Sequence, residues 1–102
     1  MTSNAAPTVK ISEPGRIPLH LVVLSPIELG RDCAGLLLAD GELSRRHLLV
    51  SAVGARVTVQ DLGSTNGTRL DGSTVDGPVT LAVGQVVELG RRRLEAQPNV
   101  SA

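Results

Sequence analysis

Three short polar clusters along this chain carry side chains able to hold a phosphate or an extended peptide: Gly30-Arg31, Ser44-Arg45-Arg46-His47 and Ser64-Thr65-Asn66-Gly67-Thr68. Arg31 follows an apolar segment and a glycine, so its guanidinium stands at a strand end, where paired N–H donors could clamp a phosphate. The Ser44 hydroxyl can donate to a phosphate oxygen, and Arg45 can add charge-assisted donors. His47 heads the apolar run Leu48-Leu49-Val50, a place from which it braces its loop through hydrogen bonds rather than touching a ligand. In the third cluster, Asn66-Gly67 is a strong hairpin signal, because both residues tolerate positive φ. A two-residue hairpin, however, does not require Ser64-Thr65 before it and Thr68 after it. Each cluster alone also has a plainer reading: a solvated arginine beside Asp32, a turn with two solvated arginines and a buried histidine, and an ordinary β-turn.

The elements that must position these residues are short. Pro and Gly interrupt the chain so often that no amphipathic helix of three turns fits, and brief β-type runs recur between turn signals. The pattern predicts strands over Val9–Ser12, Ile17–Val23, Ile27–Leu29, Leu36–Leu38 and Leu48–Val53. Further strands are expected over Arg56–Leu62, Thr68–Leu70, Val79–Leu81, Val86–Leu89 and Arg92–Ala96. Val57 and Val59 alternate with Arg56, Thr58 and Gln60, the period-two signature of a half-buried strand. Asp71-Gly72 and Asp76-Gly77 mark two more tight turns. An all-β sandwich or barrel follows, and 102 residues suffice for a single core. Residues 1–7 and 98–102 read as flexible tails around a domain over 8–97.

Composition narrows the function. The chain has no Phe, Trp or Tyr, so its core must be built from Leu, Val, Ile and Ala, and bases cannot stack on aromatic platforms. Ten basic and ten acidic residues cancel, so no global field draws nucleic acid or anionic lipid, and any anion site must come from local placement. The single Cys33 excludes an intramolecular disulfide and fits a reducing compartment. With neither an apolar leader nor a stretch of about 18 apolar residues, a cytoplasmic location without membrane contact is expected.

In this order, Gly-Arg, Ser-x-x-His and Ser-Thr-Asn-Gly-Thr make the chain resemble the forkhead-associated (FHA) domain, a phosphothreonine-peptide-binding module, over roughly Pro7 to Gln97. The resemblance implies a two-sheet β-sandwich of about 10–11 short strands, FHA/SMAD-like, with the binding loops at one end. It assigns Arg31 and Ser44 to the phosphate, Arg45 to the phosphate or the peptide near it, Thr65 to the phosphothreonine surroundings and Asn66 to the peptide backbone. Gly30, His47 and Gly67 become architectural, with His47 tying its loop to the neighbouring one, while Arg46 points away; Arg69 has no assigned role but lies close enough in sequence to be a candidate rim contact. The implied partner is a phosphothreonine-containing protein, either a Ser/Thr kinase or its substrate, and the implied role is recruitment downstream of such a kinase.

Competing chemistry is poorly supplied. Ser44, His47 and Asp61 could be drawn as a hydrolase triad, but there is no Gly-x-Ser-x-Gly elbow and no evident oxyanion hole, so no enzyme is expected. Cys33, His20 and His47 lack metal-ligand spacing, so neither metal nor cofactor is expected. Arg91-Arg92-Arg93 alternates across a strand, a solvated face rather than a nucleic-acid stripe. The remaining alternative is an FHA-like docking or oligomerisation domain that works without phosphate. Thr2 and Thr8, in or near the N-terminal tail, are positions whose phosphorylation could occupy the module's own site.

Overall fold

Alternating burial builds the sheets. In β1 (Thr8–Ser12) Val9 and Ile11 are buried while Thr8, Lys10 and Ser12 are half-buried. In β6 (Arg56–Asp61) Val57 and Val59 are buried between more exposed neighbours. The computed structural model describes residues 6–98 and shows eleven strands among them. The others are β2 (Leu19–Val22), β3 (Ile27–Gly30), β4 (Leu36–Leu37), β5 (Leu48–Val53), β7 (Arg69–Leu70), β8 (Ser73–Thr74), β9 (Val79–Leu81), β10 (Val86–Leu89) and β11 (Arg92–Gln97).

Six strands form one sheet in the order β2-β1-β11-β10-β7-β8, and five form a second in the order β4-β3-β5-β6-β9. The inward rows face each other. Leu29, Leu48, Val50, Val57, Val59 and Leu81 of the five-stranded sheet and Val9, Ile11, Val87, Leu89, Leu94 and Ala96 of the six-stranded sheet all belong to one buried aliphatic cluster. This is the aromatic-free sandwich that the composition demands.

One turn departs from the sequence-based expectation. Asn66-Gly67 does not close a hairpin: it lies in the crossing from β6 in one sheet to β7 in the other. Gly67 does take a positive φ of 79°, but the Asn66 side chain is held by another loop, and that tertiary bond overrides the local hairpin preference. The two-residue hairpin falls instead at Asp71-Gly72, with φ of 52° and 80°, where Leu70 pairs with Ser73. Its second arm, β8, carries no apolar alternation, so the sequence does not announce it.

Pro7 is buried and its carbonyl accepts the Val23 N–H, so packing begins ahead of β1. Thr8 opens β1 opposite Gln97 and Val22, whereas Thr2 lies outside the described residues. Of the expected tails, 1–5 and 99–102 also lie outside them.

Candidate functional site

Register places the clusters together. Leu29, Leu48 and Asp61 stand side by side on one rung across β3, β5 and β6. The chain leaves β3, enters β5 and leaves β6 from that rung, so the loops after Gly30, before Leu48 and after Asp61 emerge at the same end of the sandwich. The β10–β11 turn joins them, because the Arg91 N–H reaches the Asp40 carboxylate in the β4–β5 loop.

Backbone bonds then lock the first two loops. Arg31 N–H donates to the Ser44 carbonyl and Asp32 N–H to the Arg45 carbonyl, each at 3.0 Å. Gly30 permits this approach: a Cβ there would stand 2.1 Å from the Arg45 carbonyl oxygen, so any side chain would force the loops apart.

Each candidate contact residue has a distinct setting. The Ser44 hydroxyl accepts the Thr65 N–H at 2.9 Å, which leaves its own proton free to turn outward. Arg31 donates from Nε to the Leu43 carbonyl at 3.3 Å, so the stem of the exposed guanidinium is fixed while its Nη groups remain for a ligand. Arg45 is exposed and has no ion pair among the described residues. Asn66 gives one Nδ2 hydrogen to the Glu42 carbonyl at 2.8 Å and keeps its Oδ1. The structure therefore brings Arg31, Ser44, Thr65 and Asn66 onto one bonded set of loops. Arg46 is turned to Glu28, whose carboxyl is held below its ordinary value by the Arg46 hydrogen bond and charge. Arg69 is exposed across from Glu88 and lines a recess of 310 Å³ with Asn66 and Gly67.

His47, fully buried, stitches these loops. Its Nδ1 accepts the Ser44 N–H at 3.1 Å, so the ring proton sits on Nε2 and donates to the Gly67 carbonyl at 2.9 Å. Both ring nitrogens are thus engaged by backbone, and His47 does not face the Ser44 hydroxyl as a base. Ser44, His47 and Asp61 are neighbours in space but are not wired as a triad.

Asp61 has a second role that the sequence reading passed over. Its Oδ2 accepts the N–H groups of Gly63 and Ser64, and its Oδ1 accepts the hydroxyls of Ser64 and buried Thr68. The signal was local: Asp61-Leu62-Gly63-Ser64 has the spacing of an Asx turn. Burial alone would raise the Asp61 pKa, but the Ser64 and Thr68 bonds, with the His47 ring 3.9 Å away, hold it below the ordinary 3.8. A lowered folded-state value means that Asp61 stabilises fully above the unfolded value, and that this contribution is lost as pH falls through the folded one. Asp61→Asn is therefore expected to cost about 1–3 kcal/mol at neutral pH. In urea titrations across pH, its deficit against the wild type should shrink below pH 3.8; a deficit constant down to strong acid would remove the carboxylate from this role.

Comparison with known proteins now decides the family, since the FHA domain family model matches residues 27–90. The chain belongs to the FHA domain family. FhaB of Mycobacterium tuberculosis, an FHA domain-containing protein, is 40% identical over 74 residues, covering 72% of this chain and 48% of FhaB. The chain thus spans about half the length of that relative. Among solved structures, an FHA domain of an Arabidopsis thaliana hypothetical protein superposes with a TM-score of 0.80 at 26% identity, over 100% of this chain and 93% of that one. Another FHA domain, solved in work on phosphothreonine-dependent FHA domain interactions, gives 0.76 at 27% identity over 93% and 98%. These neighbours share the two-sheet β-sandwich described above. FHA domains are binding modules rather than enzymes. No helix among the described residues is long and apolar enough to cross a membrane.

Proposed function

We propose that this FHA domain is a cytoplasmic, non-enzymatic reader of phosphothreonine peptides that recruits a phosphorylated partner downstream of a Ser/Thr kinase. The observation that carries the reading is the bond from Thr65 N–H to the Ser44 hydroxyl. It joins two loops and leaves the serine proton to point away from both. In this reading Arg31 and Ser44 hold the phosphate, Arg45 adds donors to it or to the peptide beside it, Thr65 lines the phosphothreonine and Asn66 bonds the peptide backbone. Gly30, His47 and Gly67 keep the loops in place, and residues 8–97 form the recognition unit.

Energetics accord with such a site. A phosphothreonine carries about −1.5 to −2 charges and three acceptor oxygens, so several convergent donors are needed. Charge-assisted hydrogen bonds contribute about 1.5–3 kcal/mol each, and two or three of them with backbone bonds reach about −8 kcal/mol, a micromolar complex. The extra methyl of threonine is worth about 1 kcal/mol where it fills a small pocket, rising to about 3 kcal/mol where its absence leaves a void, which sets a several-fold to about hundred-fold preference over phosphoserine.

The test is a calorimetric titration with one threonine peptide in phosphorylated, unphosphorylated and phosphoserine forms. Micromolar binding of the first, no measurable binding of the second and weaker binding of the third are expected. Equal affinity for the first two would replace this reading with phosphate-independent docking.

A further inference from the structure

We propose that Asp40 is a positioning residue of this site: its buried carboxylate sets the Glu42 turn, and through the Glu42 carbonyl it orients the side-chain amide of Asn66. The proposal rests on the peptide-reader reading for its functional meaning, but its geometry stands apart from any ligand. Asp40 is only 7% exposed. Its Oδ1 accepts the Glu42 N–H at 2.9 Å and its Oδ2 accepts the Arg91 N–H at 3.1 Å, from a turn 51 residues away. One carboxylate therefore ties the β4–β5 loop to the β10–β11 turn.

Its surroundings are built for a charged group. Arg92 Nε lies 4.0 Å from Asp40 Oδ2 with no hydrogen-bond partner of its own, while Arg92 Nη2 is anchored on Glu13 at 3.2 Å. The partly buried guanidinium thus offers positive charge to the carboxylate without displacing either backbone donor. Gly90 lets the turn close over it: a Cβ there would stand 2.9 Å from Asp40 Oδ2.

Glu42 passes the restraint on. Its N–H is held by Asp40, its carbonyl accepts Asn66 Nδ2 at 2.8 Å and its carboxylate pairs with Arg91 at 3.2 Å. With one amide hydrogen fixed there, the Asn66 Oδ1 and second N–H are set before a peptide arrives, so the ordering cost at binding is lowered. An amide at position 40 offers one acceptor oxygen where two N–H groups converge, so Asp40→Asn must leave one of them facing its own NH₂.

The experiment is a two-by-two cycle of wild type, Asp40→Asn, Asn66→Ala and the double variant, titrated with a phosphothreonine peptide, with the free proteins followed by NMR. Asp40→Asn should weaken binding about tenfold when Asn66 is present and less than twofold when it is already alanine, the mark of coupled residues. In the free protein, the Asn66 Nδ2 proton bonded to the Glu42 carbonyl should be slowed in solvent exchange and shifted from the free-amide position, and Asp40→Asn should speed its exchange and move it toward that position. Equal losses in both backgrounds, or unchanged Asn66 signals, would overturn the proposal. A wild type that ignores the peptide while its Asn66 signals still respond to Asp40→Asn would instead defeat the reader reading and leave the Asp40 geometry standing. Should Asp40→Asn not fold, Gly90→Ala, whose Cβ would stand 2.9 Å from Asp40 Oδ2, displaces the same carboxylate and must give the same background-dependent loss; equal losses there would again overturn it.

Discussion

Arg31→Ala should abolish measurable binding of a phosphothreonine peptide and leave the fold intact, the largest functional effect expected of any single substitution here. The Arg31 side chain contributes one bond to the protein itself, from Nε to the Leu43 carbonyl, and is otherwise exposed. Its removal therefore costs little packing, and circular dichroism and the melting temperature should stay near wild type. Against a dianionic phosphate it is a forked donor whose position is already set by that single bond. Loss of one partner from a charged, hydrogen-bonded pair costs about 2–5 kcal/mol, enough to move a micromolar complex beyond ordinary titration. If Arg31→Ala still bound within about threefold of wild type, the phosphate would have to sit elsewhere.

The largest effect on stability belongs to His47→Ala. The ring is completely buried, so truncation opens a cavity at the rung from which the loops leave. It also orphans the Ser44 N–H and the Gly67 carbonyl, which the ring now satisfies at 3.1 and 2.9 Å. Cavity and unpaired groups together cost about 3–5 kcal/mol, a drop on the order of 15 °C in the melting temperature of a domain this size. Binding should weaken as well, because Ser44 and Gly67 sit on either side of the ring, but the thermal effect should dominate. Unchanged melting with lost binding would turn His47 from a brace into a ligand contact.

How far the site could be read in advance depended on the range of the interactions. Short apolar runs between turn signals, such as Leu48–Val53 and Val86–Leu89, were legible to the residue, because β-type side chains bounded by polar or glycine-bearing turns read as strands. Ser73–Thr74 was not, since two exposed residues carry no period. The Asn66-Gly67 dipeptide misled in the opposite sense: its hairpin preference is real, but a bond to Glu42, 24 residues away in sequence, fixes Asn66 differently. The bracing role of His47 could be anticipated from its place at the head of an apolar strand. Its two partners could not, because they are backbone groups and have no residue type to recognise. Asp40 escaped for the same reason, with backbone N–H donors as its partners and one of them 51 positions distant.

The aliphatic core has a last consequence, in optics rather than packing. A chain without Trp, Tyr or Phe has almost no absorbance at 280 nm and no intrinsic ultraviolet emission. Concentration must be taken from the peptide bond at shorter wavelengths, and unfolding must be followed by backbone ellipticity. The same darkness is useful: a single tryptophan in a partner peptide would be the only emitter in the mixture, so its anisotropy would report the complex free of background from the domain.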